Sequence, residues 1–379
     1  MHKNELKIGI TLSGGGVRAA VFHLGVLARL ADEELLEKIE MTSTVSGGTL
    51  VTGMIYTANK KRWPTSSEFK EFCIPYIKNQ LTGKSLQLDA ILRIFLNPWL
   101  LYHGRAKVLA KSLQHCWGIK GNLNDIPIKP RWNINSCTIE SGKCWRFIPR
   151  ERMGDYILNY VEKPDILLAD AICSSAAVPF LIGSLIIRSQ NYKWFEYKPD
   201  KSTELKNPKF RKIHIWDGGV YDNLGMEALV KYDKGCVYRK EFDFLIISDA
   251  SKAIEPGKPF FQSNAFRLLD ITTDQVRSLR ARTLMDHFEH KKNSGVYLKI
   301  GNTVQEILHK SKWEGDIEQA SRESLSSDEV DRARHYKTTL RKMSDEDFAM
   351  IFKHGWEVAD ATLSAYCPEL FSQIKYNGL

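Results

Sequence analysis

Near the start of the chain, the hydrophobic pattern changes from the period of a strand to that of a helix. In KIGITLS, Ile8, Ile10 and Leu12 alternate with polar or small residues, which predicts a strand. Three glycines, residues 14–16, follow it. Beyond them the apolar positions share one helical face; they are Val17, Ala20, Val21, Leu24 and Ala28. The chain is thus predicted to open with a strand, a glycine turn and a helix.

The same change of period occurs again in MTSTVSGGTLVTGMIY. This segment predicts a short strand, a sharp turn at residues 46–48 and a second helix. Further strands are predicted in RWNINSCTI, RKIHIWD and FDFLIIS. Strands that alternate with helices indicate an α/β protein, with a mostly parallel sheet covered on both faces.

Two longer stretches depart from this pattern. From Ala171 to Ile187 the chain carries no charge for seventeen residues, the lower limit for a membrane span. Because Pro179 and Gly183 interrupt this stretch, we interpret it as a buried helix, a proline break and a strand. The most polar stretch, residues 310–342, is predicted to be a loop with helical ends.

Composition constrains the compartment and the partners more than the fold. The 379 residues carry a net charge of +9, which favours an anionic partner such as nucleic acid or a phospholipid surface. A solvated basic surface without a partner is the alternative. The seven cysteines are scattered without a Cys-x-x-Cys pair, and charged MHKNELK offers no signal-peptide core. We therefore expect reduced thiols in a cytoplasmic protein.

Ser46 is a candidate nucleophile, because it stands where a strand turns abruptly into a helix. Such a turn exposes a hydroxyl close to the free N–H groups of the helix. The usual pattern is Gly-x-Ser-x-Gly; here Thr44 takes the first position and Gly48 the last. Serine followed by glycines also forms ordinary helix starts, so this motif alone leaves both interpretations open.

A serine nucleophile needs a base, and the best candidate is an aspartate. His23 lies on the apolar face of the first helix, and His214 alternates with isoleucines along a strand. Asp217 ends that strand before Gly218 and Gly219, where a carboxylate can project from the sheet edge. A tight Asp-Gly turn is the alternative. Asp222 and Asn223 are predicted to cap a following helix, LGMEALVKY.

Taken in order, these motifs resemble the patatin-like phospholipase family. The resemblance implies a nucleophile, Ser46, a base, Asp217, and no catalytic histidine, cofactor or metal. It also implies an oxyanion hole; its residues are Gly14, Gly15, Gly16 and Arg18. Two further blocks, NINSCTIESGKCWRF and SSAAVPFLI, are similar to family blocks. Thr44 and Ala19 stand where the family's motifs have glycines.

The resemblance also implies a fold and an activity. The fold is a three-layer α/β/α sandwich with a nucleophile elbow, expected in residues 5–250. Residues 251–379 are expected to be a mostly helical extension, packed on that domain or continuing it. The activity is that of a phospholipase A or lysophospholipase, which cleaves fatty-acyl esters through an acyl-serine intermediate. Its partners would be membrane phospholipids and not nucleic acid, at the cytoplasmic membrane surface; the oligomeric state stays open.

Two alternatives compete with this hypothesis. Gly14, Gly16 and Ala19 also fit the spacing of a dinucleotide-binding Rossmann loop, although that site needs an acidic residue after the second strand, where Ser46 stands. A catalytically idle lipid-binding or scaffold protein is the other alternative.

Two segments are candidates for contact with lipid. The apolar and aromatic stretch at residues 91–102 is typical of an interfacial segment, although core packing explains it equally well. Residues 188–212 form a basic insertion with eight lysines and arginines against three acids. This insertion directly precedes the Asp217 strand and is suited to anionic headgroups. A solvated loop is its alternative.

Overall fold

A computed structural model of the chain describes residues 3–99, 104–179, 182–200, 202–232, 235–252, 254, 256 and 264–378. The strands are β1 Ile8–Leu12, β2 Ile39–Thr44, β3 Arg131–Thr138, β4 Cys144–Ile148, β5 Arg152–Asp155, β6 Asn159–Glu162, β7 Leu185–Arg188, β8 Trp194–Tyr197, β9 Thr203–Lys206, β10 Lys212–Asp217, β11 Val230–Lys231, β12 Val237–Tyr238, β13 Phe244–Asp249 and β14 Gly295–Lys299. The α-helices are α1 Gly16–Ala31, α2 Gly47–Ala58, α3 Ser66–Glu68, α4 Ile74–Gly83, α5 Leu86–Leu96, α6 Arg105–Cys116, α7 Leu168–Ser175, α8 Gly219–Asp222, α9 Asn264–His290, α10 Val304–Ser311, α11 Ile317–Ser321, α12 Ser327–His335 and α13 Asp345–Tyr366.

The centre of the main sheet is parallel. Its strands lie side by side in the order β14, β13, β1, β2 and β3. Ile10 of β1 lies between Ile246 of β13 and Thr42 of β2. Because parallel strands end at the same edge, the glycine turn after β1 and the Ser46 turn after β2 leave the sheet next to each other. The predicted α/β class with a parallel central sheet is confirmed.

Beyond β3 the sheet continues as short antiparallel strands, of which only β4 was expected, because the block NINSCTIESGKCWRF resembles a strand pair of the family. The order is β4, β5, β6, β8 and β9. A separate antiparallel strand, β10, pairs with the end of β3, with Asp217 opposite Ser136. Ile134, two residues before Ser136 in β3, pairs with Thr44 of β2. The antiparallel β10 therefore brings Asp217 to the edge where β2 ends.

Helices cover both faces of the parallel centre, which gives the predicted three layers. On one face α1 lies against α13, and every residue of α1 is buried. The two helices approach closely at glycines: a Cβ at Gly25 would lie 2.0 Å from the carbonyl oxygen of Phe352, and one at Gly355 would lie 2.1 Å from that of Phe22. On the other face, apolar side chains of α9 and of residues 224–242 pack against β13.

The C-terminal third of the chain contributes to the same core, since β14 pairs with β13 and α13 packs against α1. The domain boundary at residue 250 stays a prediction. Residues 310–342 contain more helix than the predicted loop with helical ends, because α11 and α12 lie within them. Their N-caps are supplied by Asp316 and Ser326, whose side chains accept hydrogen bonds from the amides of Gln319 and Glu329.

The uncharged stretch from Ala171 to Ile187 has the predicted form. The buried helix α7 ends at Ser175, Pro179 follows, and β7 begins at Leu185. Residues 180 and 181 of this stretch lie outside the described residues. Among the helices that the structure describes, none combines the length and the apolar character needed to cross a bilayer.

The prediction of a helix after Asp222 and Asn223 is wrong. Residues 226–228 form a single 3₁₀ turn, and the strand β11 follows directly. Asp222 still caps a turn, since its carboxylate accepts hydrogen bonds from the amides of Leu224 and Glu227. Gly225 lies between them in the left-handed backbone conformation, with φ 68°. A residue in this conformation interrupts a right-handed helix.

Candidate active site

Ser46 lies in the turn between β2 and α2 with a backbone conformation that serine rarely adopts. Its φ is 47° and its ψ is −112°. A positive φ at a residue other than glycine costs about 1–3 kcal/mol, so neighbouring groups must hold it. The Ser46 amide donates to the carbonyl oxygen of Ser175 at 3.1 Å and to its hydroxyl at 3.0 Å. This geometry is that of a nucleophile elbow.

The two flanking positions of the elbow are fixed by packing. A Cβ at Gly48 would lie 2.2 Å from the carbonyl oxygen of Leu12, so only glycine fits there. Thr44 replaces the usual first glycine, and its hydroxyl lies 2.8 Å from that of Thr49 and accepts the indole N–H of Trp132 at 2.9 Å. These partners hold the larger side chain in the core, which explains why the turn tolerates it.

Asp217 ends β10 with a buried carboxylate. It accepts a hydrogen bond from the amide of Gly219 at 2.7 Å. Burial raises the pKa of Asp217 to about 7, and the Gly219 amide and the neighbouring Ser46 hydroxyl offset only part of this effect. Gly218 and Gly219 leave the necessary space: a Cβ at Gly218 would lie 2.4 Å from the carbonyl oxygen of Asn135. The side chains of Ser46 and Asp217 are thus neighbours at the same cavity.

The glycine turn after β1 offers amides to the same site. The Gly14 amide is already used, since it donates to the carbonyl oxygen of Asn223 at 3.1 Å. The amides of Gly15, Gly16 and Gly47 have no acceptor in the part of the chain that the structure describes. They lie at the starts of α1 and α2, where the helix dipole favours negative charge. Gly47 is a candidate donor that the site prediction did not include.

Arg18 has different partners from the oxyanion that the resemblance implied. Its guanidinium donates to the carbonyl oxygens of Arg334 at 3.2 Å, Tyr336 at 2.9 Å and Ala250 at 3.0 Å. Burial lowers the pKa of Arg18 to about 10, and the nearby carboxylate of Asp249 opposes this. Arg18 therefore ties the glycine turn to the C-terminal third of the chain.

Ser46 and Asp217 line a cavity of about 370 Å³. Val178 and Pro179 form part of its wall, and α9 contributes Leu269, Thr273 and Arg277. Arg277 is fixed by ion pairs with Asp249 at 3.1 Å and with Asp274 at 2.6 Å. Nothing in the local pattern of α9 indicated a role at the site, because long-range packing brings it there.

No histidine is among the described residues that line this cavity. His23 is buried in α1, with its ring nitrogens 2.7 Å from the Ser248 hydroxyl and 3.0 Å from the Ser13 carbonyl oxygen. Burial lowers its pKa to about 4. The Nδ1 atom of His214 lies 2.6 Å from a carboxylate oxygen of Glu140. Both histidines thus have partners away from the cavity, whereas Asp217 lines it together with Ser46.

Comparison with known proteins identifies the family. A family model described as patatin-like phospholipase matches residues 10–230. A patatin-like phospholipase domain-containing protein of Chaetomium globosum is 27% identical over 228 residues, which are 60% of this chain and 23% of the relative. One from Yarrowia lipolytica is 24% identical over 189 residues, 50% of this chain and 21% of the relative. The chain thus spans less than a quarter of the length of these relatives.

Solved structures agree on the fold. Human GIVD cytosolic phospholipase A2 superposes with a TM-score of 0.55 at 12% identity, covering 96% of this chain and 63% of the human chain. The human protein in complex with methyl γ-linolenyl fluorophosphonate gives a TM-score of 0.51 at 15% identity, covering 96% of this chain and 58% of that chain. This likeness confirms the α/β sandwich. Since the family model matches more than half of the sequence, in the order of motifs described above, the chain belongs to the patatin-like phospholipase family.

Proposed function

We propose that the protein is a lipid acyl hydrolase of the phospholipase A or lysophospholipase type, and that Ser46 and Asp217 form its catalytic dyad. The observation that carries the proposal is the strained Ser46 beside a buried carboxylate, in a cavity that no histidine of the described chain lines. The family assignment supports the hydrolase over the dinucleotide-binding alternative.

The proposed reaction has two steps. Asp217 takes the proton of the Ser46 hydroxyl while the oxygen attacks the ester carbonyl carbon. The bond to the alcohol then breaks, Asp217 returns the proton to the leaving oxygen, and the fatty acyl group stays on Ser46. Water attacks this acyl-serine as Asp217 takes its proton. Ser46 leaves with that proton, and the fatty acid is released.

The raised pKa of Asp217 supports its role as a base. An ordinary aspartate is too weak to accept a serine proton readily, whereas a group that titrates near 7 is matched to neutral pH. The negative oxygen that forms during attack would be bound by the amides of Gly15, Gly16 and Gly47. Removing one such donor costs catalysis about 3–4 kcal/mol in well-studied hydrolases.

We place the lipid contact on the apolar face of α5 and the turn after it. Its large side chains are mostly exposed, with Phe95 81% and Trp99 82% exposed. The other members are Leu88, Ile91, Leu92 and Leu96. Exposed apolar patches of this kind mark interaction sites, and for a phospholipase the partner is a bilayer. Residues 100–102 of the predicted interfacial stretch lie outside the described residues.

The position of α5 supports this role. Gln87 at its start donates its amide to the carbonyl oxygen of Leu340, and its side chain accepts from the Thr339 hydroxyl at 3.4 Å. The carbonyl oxygen of Thr339 in turn accepts the amide of Val17, directly after the glycine turn. Thr338 lines the catalytic cavity. A membrane bound to the α5 face would therefore lie beside the active site.

The basic insertion at residues 188–212 supports a weaker, electrostatic contribution. Two of its acids are paired with lysines: Glu204 lies 2.8 Å from Lys198, and Lys206 lies 3.3 Å from both Glu196 and Glu204. The positive charge that remains includes Lys209, Arg211 and Lys212. Each basic side chain near an anionic membrane contributes about 1 kcal/mol.

The activity is tested by measuring release of free fatty acid from mixed phospholipid vesicles. We expect wild-type protein and Ser202→Ala, a variant of an exposed serine, to release fatty acid, and Ser46→Ala to release none while unfolding at the same temperature. Vesicle binding without release in the wild type would instead identify an idle lipid-binding protein.

The membrane contact is tested by vesicle co-sedimentation. We expect Phe95→Ser with Trp99→Ser to weaken binding to neutral and anionic vesicles, with unchanged hydrolysis of a small soluble ester. Changing Lys209, Arg211 and Lys212 to glutamine should weaken binding to anionic vesicles alone, and increasingly so at low salt. Ile128→Ser, at an exposed isoleucine outside both segments, is the matched control. Unchanged binding in the α5 variant would contradict the assignment of this face.

A further inference from the structure

A second cavity, separate from the one that Ser46 lines, is surrounded by arginines. It has a volume of about 160 Å³, and its lining includes Arg131, Arg146, Arg152 and Arg239. We refer to it as the arginine cavity. The first three arginines belong to β3, β4 and β5, the neighbouring strands that begin the antiparallel half of the sheet.

Strand alternation explains why these side chains converge. In β4, Arg146 points away from the core that Trp145 and Phe147 enter, and in β5 Arg152 likewise alternates with the buried Met153. This face is not covered by an apolar helix; instead residues 227–241 lie over it and add Arg239. Successive strands therefore direct positive charge into one partly enclosed space.

Four arginines line the cavity together with two carboxylates, Glu227 and Glu241, so positive charge is in excess. Arg131 is neutralised by a two-point ion pair with Glu151, with both distances 2.7 Å. Arg146 lies 3.5 Å from Glu227, which Arg280 of α9 also contacts at 3.3 Å. The buried Nη2 atom of Arg146 makes the contact with Glu227, which does not form a hydrogen bond. Glu227 is thus shared between two arginines and pairs only loosely with Arg146.

The other two arginines have no ion pair with any carboxylate that the structure describes. Arg152 stacks on Tyr160, with its guanidinium carbon 4.7 Å from the ring centre, and on Tyr197 at 5.0 Å. Arg239 donates through Nε to the carbonyl oxygen of Ala228 at 3.1 Å. Burial and then the neighbouring arginines lower the pKa of Arg239, and the carboxylate of Glu241 offsets only part of this effect.

We propose that the arginine cavity is a binding site for a phosphate monoester, separate from the catalytic site. Guanidinium groups bind phosphate oxygens through paired N–H donors, and several converging arginines match a doubly charged group better than a single carboxylate. One water occupies about 30 Å³, so the cavity has room for a phosphate group and the first atoms of its ester. The ester is carried either by a small soluble molecule or by a lipid headgroup.

Binding is tested by calorimetric titration of the full chain in phosphate-free buffer. The soluble probe is glycerol 3-phosphate, with glycerol as its uncharged control. We expect glycerol 3-phosphate, but not glycerol, to bind and to raise the unfolding temperature of the protein. Arg239→Gln and Arg152→Gln should each weaken binding about tenfold or more, since each removes charged donors. Arg322→Gln, which removes an equal charge from an exposed position, should bind as the wild type does.

A lipid arm distinguishes the two sources of phosphate. A lipid headgroup is the ligand if three results coincide. The protein binds phosphatidate vesicles more tightly than phosphatidylcholine vesicles, Arg239→Gln removes this preference, and glycerol 3-phosphate does not bind. Arg239→Lys keeps the charge without the paired donors, and weaker binding by this folded variant supports the proposal. Equal binding by wild type, Arg239→Gln and Arg322→Gln in both arms, or no binding in either, would overturn it.

Discussion

Replacing the proposed base by its neutral isostere, Asp217→Asn, is expected to stabilise the protein while abolishing hydrolysis. The carboxylate is buried, and only the Gly219 amide and the Ser46 hydroxyl stabilise its negative charge. Asparagine can keep both contacts, since its oxygen accepts from Gly219 and its nitrogen donates to the Ser46 oxygen. The Asp217→Asn variant therefore avoids the free-energy cost of a buried charge, but it can no longer accept a proton.

The size and the sign of the expected difference in stability follow from the linkage between protonation and folding. The pKa of Asp217 is raised from 3.8 to about 7 in the folded state. Below pH 3.8 the carboxyl is protonated in folded and unfolded chains, so it costs nothing. Between these values stability falls by about 1.4 kcal/mol per pH unit, and above a pH of about 7 the full loss of about 4 kcal/mol is present. The amide introduced by Asp217→Asn does not titrate, so the variant avoids this loss.

Urea unfolding at pH 4, 6 and 8 measures this difference. We expect Asp217→Asn to match the wild type near pH 4 and to exceed it by roughly 4 kcal/mol at pH 8. Burial also raises the pKa of Glu357 to about 7, but that group titrates alike in both proteins and cancels. Asp328→Asn, at an exposed position, is the control. Equal loss of stability by wild type and Asp217→Asn between pH 4 and 8 would refute the desolvated carboxylate.

Three further predictions follow from the same contacts. Gly15→Ala should lower kcat for a soluble ester by about a hundredfold with little change in KM, because the amide donors bind only the developing oxyanion. The control is Gly142→Ala, which also has a positive φ but lies in open space. A change in KM alone would contradict an oxyanion-binding role for Gly15. Gly355→Ala should lower the free energy of unfolding in urea by about 1–3 kcal/mol, because the new Cβ meets the backbone of α1. The control Gly83→Ala should leave it unchanged, and equal stabilities of the two variants would contradict the close approach of α1 and α13. The kcat of the wild type should rise with pH to a plateau with a midpoint near 7, as Asp217 loses its proton, and a flat profile from pH 5 to 8 would argue against this base.

The parts of the site that could be predicted from sequence are those encoded by a few neighbouring residues. Ser46 follows a strand and Asp217 ends one, each directly before glycines, so the residue type, its position and the turn are visible in the local sequence. The glycines behind them are required by contacts such as that between Gly218 and the backbone of Asn135. The parallel centre of the sheet was likewise predictable, since its strands alternate with helices of the right period.

Other features depend on residues far apart in the chain. The partners of Arg18 include the carbonyl oxygens of residues 334 and 336, more than 300 positions away, and no pattern near Arg18 encodes them. The amide of Gly14 is likewise used by Asn223. In contrast, the helices α11 and α12 carried local capping signals at Asp316 and Ser326, which the polar composition of the stretch outweighed in the prediction.

The most direct test of the dyad is the rate at which methyl γ-linolenyl fluorophosphonate modifies the protein as pH is varied, with the modified residue located by peptide mass spectrometry. We expect a single adduct on Ser46. It should form about tenfold more slowly per pH unit below 7, at a constant rate above 7, and hardly at all in Asp217→Asn. An adduct on another residue, or a rate on Ser46 that does not change between pH 5 and 8 or on replacing Asp217, would contradict it.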